Sequence, residues 1–411
     1  MKVMVLGAGA IGSLTATLLA RSGQVDELVV ASRRLPPARD LVKKIGKKHV
    51  KAKQLDCDKV GDMTKAFKGF DMVVNLVLPR FNLKIMDACV RAGVHYLDTA
   101  TDLVLTKDKK GDKIERTPEQ IQLDRDDKWK DHDLTAMLGW GCDPGLSNIF
   151  ARLGADRLDR VDEILVRDGD NSTIEGYDFA SLWSADTLIE EVQMDALAYY
   201  DHRFVRVGTA EGEEVFNFPE PVGPQTVYNV DHEESNTLPL FIKKGLRNQD
   251  FKISLPRDFA EFVRIGKKWG MTKADPIEVR SKFFNTKVKV APRDVMTALL
   301  PVPTDIAAKV HGSTCVGTVV KGEKNGKPAG WFIYTLMSHD YCYQKYGYHA
   351  VSYTTGAPPV VGLEMFARKE VTRRGVFPPE VLDPVPIVKH LPDWDIPYGE
   401  RPEVHEVELA A

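Results

Sequence analysis

Three glycines near the N-terminus, Gly7, Gly9 and Gly12, stand in the spacing G-x-G-x-x-G, with Ala10 and Ile11 between the last two. The first permits a tight strand-to-helix turn and the second lets the backbone approach a pyrophosphate. The third lets the helix pack against its strand. Backbone amides at the helix start, aided by its positive dipole end, then hold phosphate charge. The next strand ends in Ser32, Arg33 and Arg34. A carboxylate at that position would grip the ribose 2′-hydroxyl of NAD, whereas arginine accommodates a 2′-phosphate. The chemistry predicted is dinucleotide binding, with NADP(H) preferred over NAD(H). Further candidates sit where later strands end: Asp56 and Cys57 near an adenine, then Asn75, Leu76 and Pro79, then Asp98 and Thr99. Asp58 reads as the cap of the helix after it. Asp143, in Trp140-Gly-Cys-Asp-Pro-Gly145, would face the nicotinamide end of such a cofactor, or else cap the helix that follows, with Pro144 at its first position.

These residues need a scaffold that brings strand ends together. Strand-like runs at Val3–Leu6, Glu27–Arg34 (with its exit), Lys51–Leu55, Phe70–Pro79, Val94–Thr99 and Leu134–Gly139 alternate with helical stretches. Six such units predict an α/β Rossmann dinucleotide-binding domain over 1–148. A polar stretch, Asp102–Asp133, contains a predicted surface loop at Lys107–Lys113. From about Val161 the texture changes, and short strands with turn signals predict an inserted α+β domain over 149–348 with a mostly antiparallel sheet. Its strongest element is a hairpin joining Gly312–Lys321 to Gly330–Leu336 through Asn325-Gly326, a tight-turn dipeptide. A helix from His349 to Lys369 is expected to return to the first domain. It is followed to residue 411 by an ordered but irregular tail that frays at Glu406–Ala411.

Apolar content of 43%, charged content of 28% and net charge −3 describe a globular chain with no nucleic-acid footprint. No apolar run approaches the roughly 18 residues that span a bilayer, and Met1–Leu6 reads as a strand rather than a leader. Five scattered cysteines without a C-x-x-C pair argue against a disulfide framework and a metal centre. The expectation is a cytoplasmic protein.

The glycine motif, Ser32-Arg33, Asp143-Pro-Gly145, the Gly312–Gly317 strand and Tyr353-Thr-Thr-Gly356 occur in an order that resembles the saccharopine dehydrogenase-like family of NAD(P)-dependent oxidoreductases. Ala298-Leu-Leu-Pro301, Phe332-Ile-Tyr334 and Gly375-Val-Phe377 with Leu382-Asp-Pro384 are most similar to its carboxynorspermidine (carboxyspermidine) dehydrogenase branch. His232-Glu-Glu234 and Thr237-Leu-Pro239 look closer to lysine 6-dehydrogenase and saccharopine reductase. The resemblance implies hydride transfer at a carbon–nitrogen bond of an amino acid or polyamine, as when an amine condenses with an aldehyde or keto acid and NADPH reduces the imine. It implies small-molecule amine and carbonyl substrates, and a homodimer is expected. Proton transfer falls to Asp143, or to His232 beside Glu233; against this, His232 reads equally as a polar loop residue, and His339 and His349 as structural. Arg167, Arg203, Arg206, Arg264 and Arg293 are candidates for binding substrate carboxylates, since guanidinium forks match them in two-point contact. NAD-dependent lysine deamination, and a non-catalytic NADP-binding regulator, are the alternatives.

Overall fold

The computed structural model describes residues 1–101 and 117–403; the predicted loop at Lys107–Lys113 and the fraying end lie outside them. Strands β1 (Lys2–Leu6), β2 (Glu27–Ser32), β3 (Val50–Gln54), β4 (Met72–Asn75), β5 (His95–Asp98) and β6 (Thr135–Met137) form one sheet. Its order is β6-β5-β4-β1-β2-β3, with every pairing parallel. Val3–Leu6 and Met72–Val74 are wholly buried, because helices cover both faces and the strands therefore carry no polar alternation. The order reverses between β1 and β4, which opens a crevice at their carboxyl ends.

A seventh strand, Gly375–Phe377, joins this sheet beside β6 in parallel register. It comes from the stretch expected to be irregular. So does Gly399–Pro402, which pairs with Lys327–Ser338 in the other sheet. The tail thus returns to both domains, not to the first alone. Strands of three and four residues supply too little alternation to read in sequence, and what fixes them is the partner edge they complete.

The second sheet is mixed and mostly antiparallel, as expected. Its order is Arg203–Val207, Ala196–Tyr200, Asn248–Ser254, Arg160–Asp170, Ser313–Lys324, Lys327–Ser338 and Gly399–Pro402. Asn248–Ser254 lies parallel to Arg160–Asp170. The long hairpin is paired over its whole length, and Asn325 and Gly326 both have positive φ, the geometry of a tight turn that follows strand twist. The helix Ala185–Gln193 leads directly into the strand Ala196–Tyr200. Helices Ala350–Gly356 and Pro358–Ala367 pack on α1 (Ala10–Leu19). There the Thr15 hydroxyl donates to the Gly356 carbonyl at 2.8 Å.

Candidate functional site

The glycine turn is built as its sequence requires. Gly7 has φ +108, and a Cβ there would sit 2.5 Å from the Leu76 carbonyl oxygen; one at Gly12 would sit 2.4 Å from that of Gly7. Nothing lies within 4 Å of a Cβ on Gly9. Two glycines are therefore demanded by packing, and the third leaves open space above the first turn of α1. The amides of Ala10, Ile11 and Gly12 there have no intrahelical acceptor. A dinucleotide pyrophosphate fits this cradle.

Beyond β2, Arg33 is exposed and lines a cavity of about 570 Å³ with Lys53, Asp56, Lys59 and Lys65. Arg34 borders an adjoining hollow with Pro36, Pro37 and Gln54. Asp56 accepts from its neighbour's amide, that of Asp58, at 3.1 Å. The Cys57 thiol beside it is pushed up to about 11 by burial. Asp58 is no helix cap. Its carboxylate pairs with Lys84 at 2.6 Å, and the helix begins after Lys59 without a side-chain cap.

Asn75 and Asp98 turn inward. Asn75 Nδ2 donates to Asn82 Oδ1 at 2.7 Å and to the Tyr96 hydroxyl at 2.8 Å. Asp98 accepts from the Gly139 amide at 2.7 Å, the Tyr96 hydroxyl at 2.8 Å and Gln122 at 3.1 Å. Burial pushes its carboxyl up to about 7. These two side chains brace the strand ends from beneath, leaving the backbone of Leu76, Pro79 and Thr99 at the crevice.

Asp143 does not cap the following helix. That helix runs Leu146–Asp156 from Gly145, whose amide donates to Asn148 Oδ1 at 2.9 Å. Asp143 instead meets Asp168, on the strand from the second domain, and the two carboxyls share a hydrogen bond. Burial, and then the charge of Asp168, lifts Asp143 well above the carboxylate range. Burial, and then Asp170, lifts Asp168 to about 7. Two carboxyls held this close retain a proton between them.

His232 stands in the connection between the strand Pro224–Asn229 and the helix Glu234–Phe241, as the loop reading has it, but it is buried. It lies flat on Phe251, ring centroids 3.9 Å apart, with Nδ1 2.5 Å from Glu234 Oε2 and 3.4 Å from Glu233 Oε2. Burial opposes its charge, but Glu234 and Glu233 outweigh that and hold the imidazole well above its ordinary value. The two glutamates are fixed from outside the segment. Ser147 donates to Glu234 at 2.6 Å, and the Thr101 amide donates to Glu233 at 2.8 Å. The second contact ties the end of the first sheet to the second domain. Glu191, on the helix Ala185–Gln193, faces the same group, and burial pushes it up to about 8.

The structure does not gather the five arginines here. Arg167 is buried on the opposite face of its strand from Asp168, bonded to Asp250 at 2.6 Å and Glu214 at 3.0 Å. Arg206 holds Asp231 at 2.9 Å, and Arg293 holds Glu190 at 3.0 Å. Arg264 donates weakly to the Ala210 carbonyl at 3.4 Å, and Arg203 is exposed. His339 is bound to Asp170 at 2.9 Å, and His349 is buried with a pKa lowered to about 3 by burial. Sequence reasoning missed Asp168, Glu191 and Glu234 as members of the cluster. The available signal for the first was a run of acids, Asp168-Gly-Asp170, closing a strand whose middle, Ile164–Val166, is apolar.

The cluster therefore combines one imidazolium with the carboxyls of Asp143, Asp168, Glu191, Glu233 and Glu234. It lies between the carboxyl ends of β5 and β6 and the second sheet. Side chains able to give or take a proton stand beside the place where a nicotinamide would reach. The ligand atoms of His232, Glu233 and Glu234 lie within 4.8 Å of one another, near enough to share one cation.

Known proteins place this arrangement. Residues 3–137 match the saccharopine dehydrogenase NADP binding domain and residues 141–394 the saccharopine dehydrogenase C-terminal domain. The chain is 30% identical to carboxyaminopropylagmatine dehydrogenase of Synechocystis sp. over 97% of both chains. It is also 30% identical to carboxynorspermidine synthase of Vibrio cholerae, over 96% of this chain and 97% of that one. Saccharopine dehydrogenase (L-Glu forming) of Saccharomyces cerevisiae shares the fold at TM-score 0.70 and 16% identity, over 98% of this chain and all of that one. Homospermidine synthase of Legionella pneumophila, in complex with NAD, does so at 0.67 and 16%, over 97% and 91%. The chain belongs to the saccharopine dehydrogenase family, as an oxidoreductase acting on CH–NH donors.

Proposed function

We propose that the protein joins a diamine or polyamine to a small aldehyde or keto acid by NADPH-dependent reductive condensation. The observation that carries the reading is charge. Five carboxyls surround one imidazolium, and three of the expected arginines, Arg167, Arg206 and Arg293, are paired with other acids. A site this short of cations suits a substrate that brings them. Two full-length relatives are named for carboxylated polyamine-type products, and that likeness runs through the middle of the chain as well as its C-terminal third.

The amine attacks the carbonyl to give a carbinolamine, whose hydroxyl must leave as water. A proton from the Asp143–Asp168 pair assists that departure, and imidazolium His232, oriented by Glu234 and Glu233, replenishes it. The nicotinamide, when bound, supplies the hydride that converts the imine to a secondary amine. Arg33, with the lysines lining its cavity, favours the 2′-phosphate of NADP over NAD. The Gly9 cradle holds the pyrophosphate, and the buried Asn75–Asp98 network keeps the strand ends rigid beneath it.

The test is NADPH consumption with diamines and semialdehydes, against monoamines of equal length. Turnover confined to diamines supports the reading. NAD-dependent oxidation of lysine with no diamine-dependent NADPH consumption would overturn it in favour of a lysine 6-dehydrogenase.

A further inference from the structure

The strand Arg160–Asp170 ends in two acids on one face, Asp168 and Asp170, because side chains alternate along a strand. Asp168 reaches across to Asp143. Asp170 is pinned instead. Its Oδ1 accepts from the Ser172 amide at 2.7 Å, and its Oδ2 meets His339 Nε2 at 2.9 Å. His339 is wholly buried at the start of the helix His339–Tyr346. Its other ring nitrogen, Nδ1, accepts from the Ala350 amide at 3.2 Å. An amide N–H can meet only an unprotonated ring nitrogen, so Nε2 carries the proton and donates to Asp170. Backbone thus sets the tautomer, and that backbone opens the helix Ala350–Gly356 packed on α1.

A neutral imidazole does here what an arginine or lysine would not. It gives the Asp170 carboxylate a hydrogen bond, yet brings no positive charge to cancel it. Burial opposes the charge on Asp170, but the bonds from His339 and Ser172 outweigh that and hold the carboxyl below its usual range. After burial, the charge of Asp170 is the largest influence raising Asp168. The other acids and bases facing Asp168 are Asp143, His232 and Glu234. The thiols of Cys142 and Cys315 are also near, both raised by burial and so uncharged. Facing His339 are Asp170, His349 and, on its own helix, Asp340. His349 is neutral, lowered to about 3 by burial, and Asp340 is paired with His311 at 2.7 Å. Among these groups Asp170 alone presses a constant negative charge on Asp168 from its own strand.

We propose that His339 and Asp170 are positioning residues for the proton-bearing pair: His339 fixes a negative charge on Asp170, and that charge holds the shared proton on Asp143–Asp168. This rests on the proton-donor role given to the pair above, so its test is made without substrate.

Infrared titration of the full chain follows the carboxylic acid band that disappears in Asp168→Asn. In the wild type the band is lost as pH rises through the pair's apparent value. Asp170→Asn keeps the bond to His339 and removes the charge. A neighbouring negative charge raises a carboxyl, so the band should then vanish roughly one pH unit lower. His339→Leu should move it in the same direction, whereas His339→Gln, which keeps a neutral donor near Nε2, should leave it in place. The double variant Asp170→Asn/His339→Leu should move it no further than Asp170→Asn alone. An unmoved band in Asp170→Asn overturns the inference, as does the lack of any band assignable to the pair. Additive shifts in the double variant reject the action of His339 through Asp170. Should His339→Leu lose its fold, the Asp170→Asn and His339→Gln titrations decide. Shifted bands without diamine-dependent NADPH consumption would keep the positioning role and reject reductive condensation, and turnover with unshifted bands would do the reverse.

Discussion

Asp143 and Asp168 meet only because a turn after β6 and a strand from another domain converge, and that convergence gives them their chemistry. Burial raises both carboxyls; the charge of Asp168 adds to it at Asp143, and that of Asp170 adds to it at Asp168, which reaches about 7. In the reductive direction the active form keeps the shared proton, so kcat/KM should fall as pH rises through the pair's apparent value. Asp168→Asn removes the partner that raises Asp143. It should lower kcat roughly 100- to 10,000-fold, the usual worth of a positioned proton donor, and move the alkaline limb. A pH–rate profile with the limb unmoved would show that Asp168 only fills space. At the other end of the cleft, Arg33→Asp should weaken NADPH binding about 10- to 100-fold, the loss expected for a charge-assisted contact to phosphate. NADH affinity should be unchanged, and equal losses in a fluorescence titration would remove the 2′-phosphate role. Arg33 was legible because strand and glycine motif fix its place. Asp168 was not, because its partner is distant in sequence and only the folded sheet brings them together.

At the scale of elements, the glycine turn separates packing from function within six residues. Gly12→Ala places a methyl against the Gly7 carbonyl, where a Cβ would be 2.4 Å away. It should cost about 1–3 kcal/mol as an overpacked contact, visible as a lowered Tm without cofactor. Gly9→Ala meets nothing within 4 Å, so its Tm should match wild type while NADPH binding weakens, because the methyl occupies pyrophosphate space. A Gly9→Ala protein with normal NADPH affinity would contradict the cradle. These elements were readable because strand, glycines and helix are local and each constrains the next. The segment 231–237 was less so. A run of polar residues suggests a solvated loop, yet here all seven are buried, because their partners come from Thr101, Ser147 and Glu119 in distant parts of the chain. The arginine candidates failed for the converse reason. Arg167, Arg206 and Arg293 each found a structural acid first, and Arg167 also points away from the cleft because side chains alternate along a strand.

On the whole molecule, the C-terminal segment works as a clasp. It gives Gly375–Phe377 to the first sheet, lays the helix Pro384–His390 along Leu146–Asp156 and ends as Gly399–Pro402 on the second sheet. The last part adds Tyr398 stacked on Phe150 at 6.3 Å, a two-point pair of Arg157 with Glu400 at 2.7 Å, and Arg401 over Phe332 at 5.0 Å. The exposed ion pair alone is worth at most about 1 kcal/mol. The strand pairing and ring contacts raise the sum to a few kcal/mol, a loss of the size that follows when packed contacts are deleted. Because the candidate site is shared between the domains through Thr101–Glu233 and Asp143–Asp168, loosening the clasp should also loosen the site. Truncation after Ile396 is expected to divide one calorimetric transition into two, with the second domain melting first, and to raise KM for the amine more than Kd for NADPH. If the truncated chain melts in a single transition at the wild-type temperature, the strand is ornamental and the two domains are held together by their cores alone.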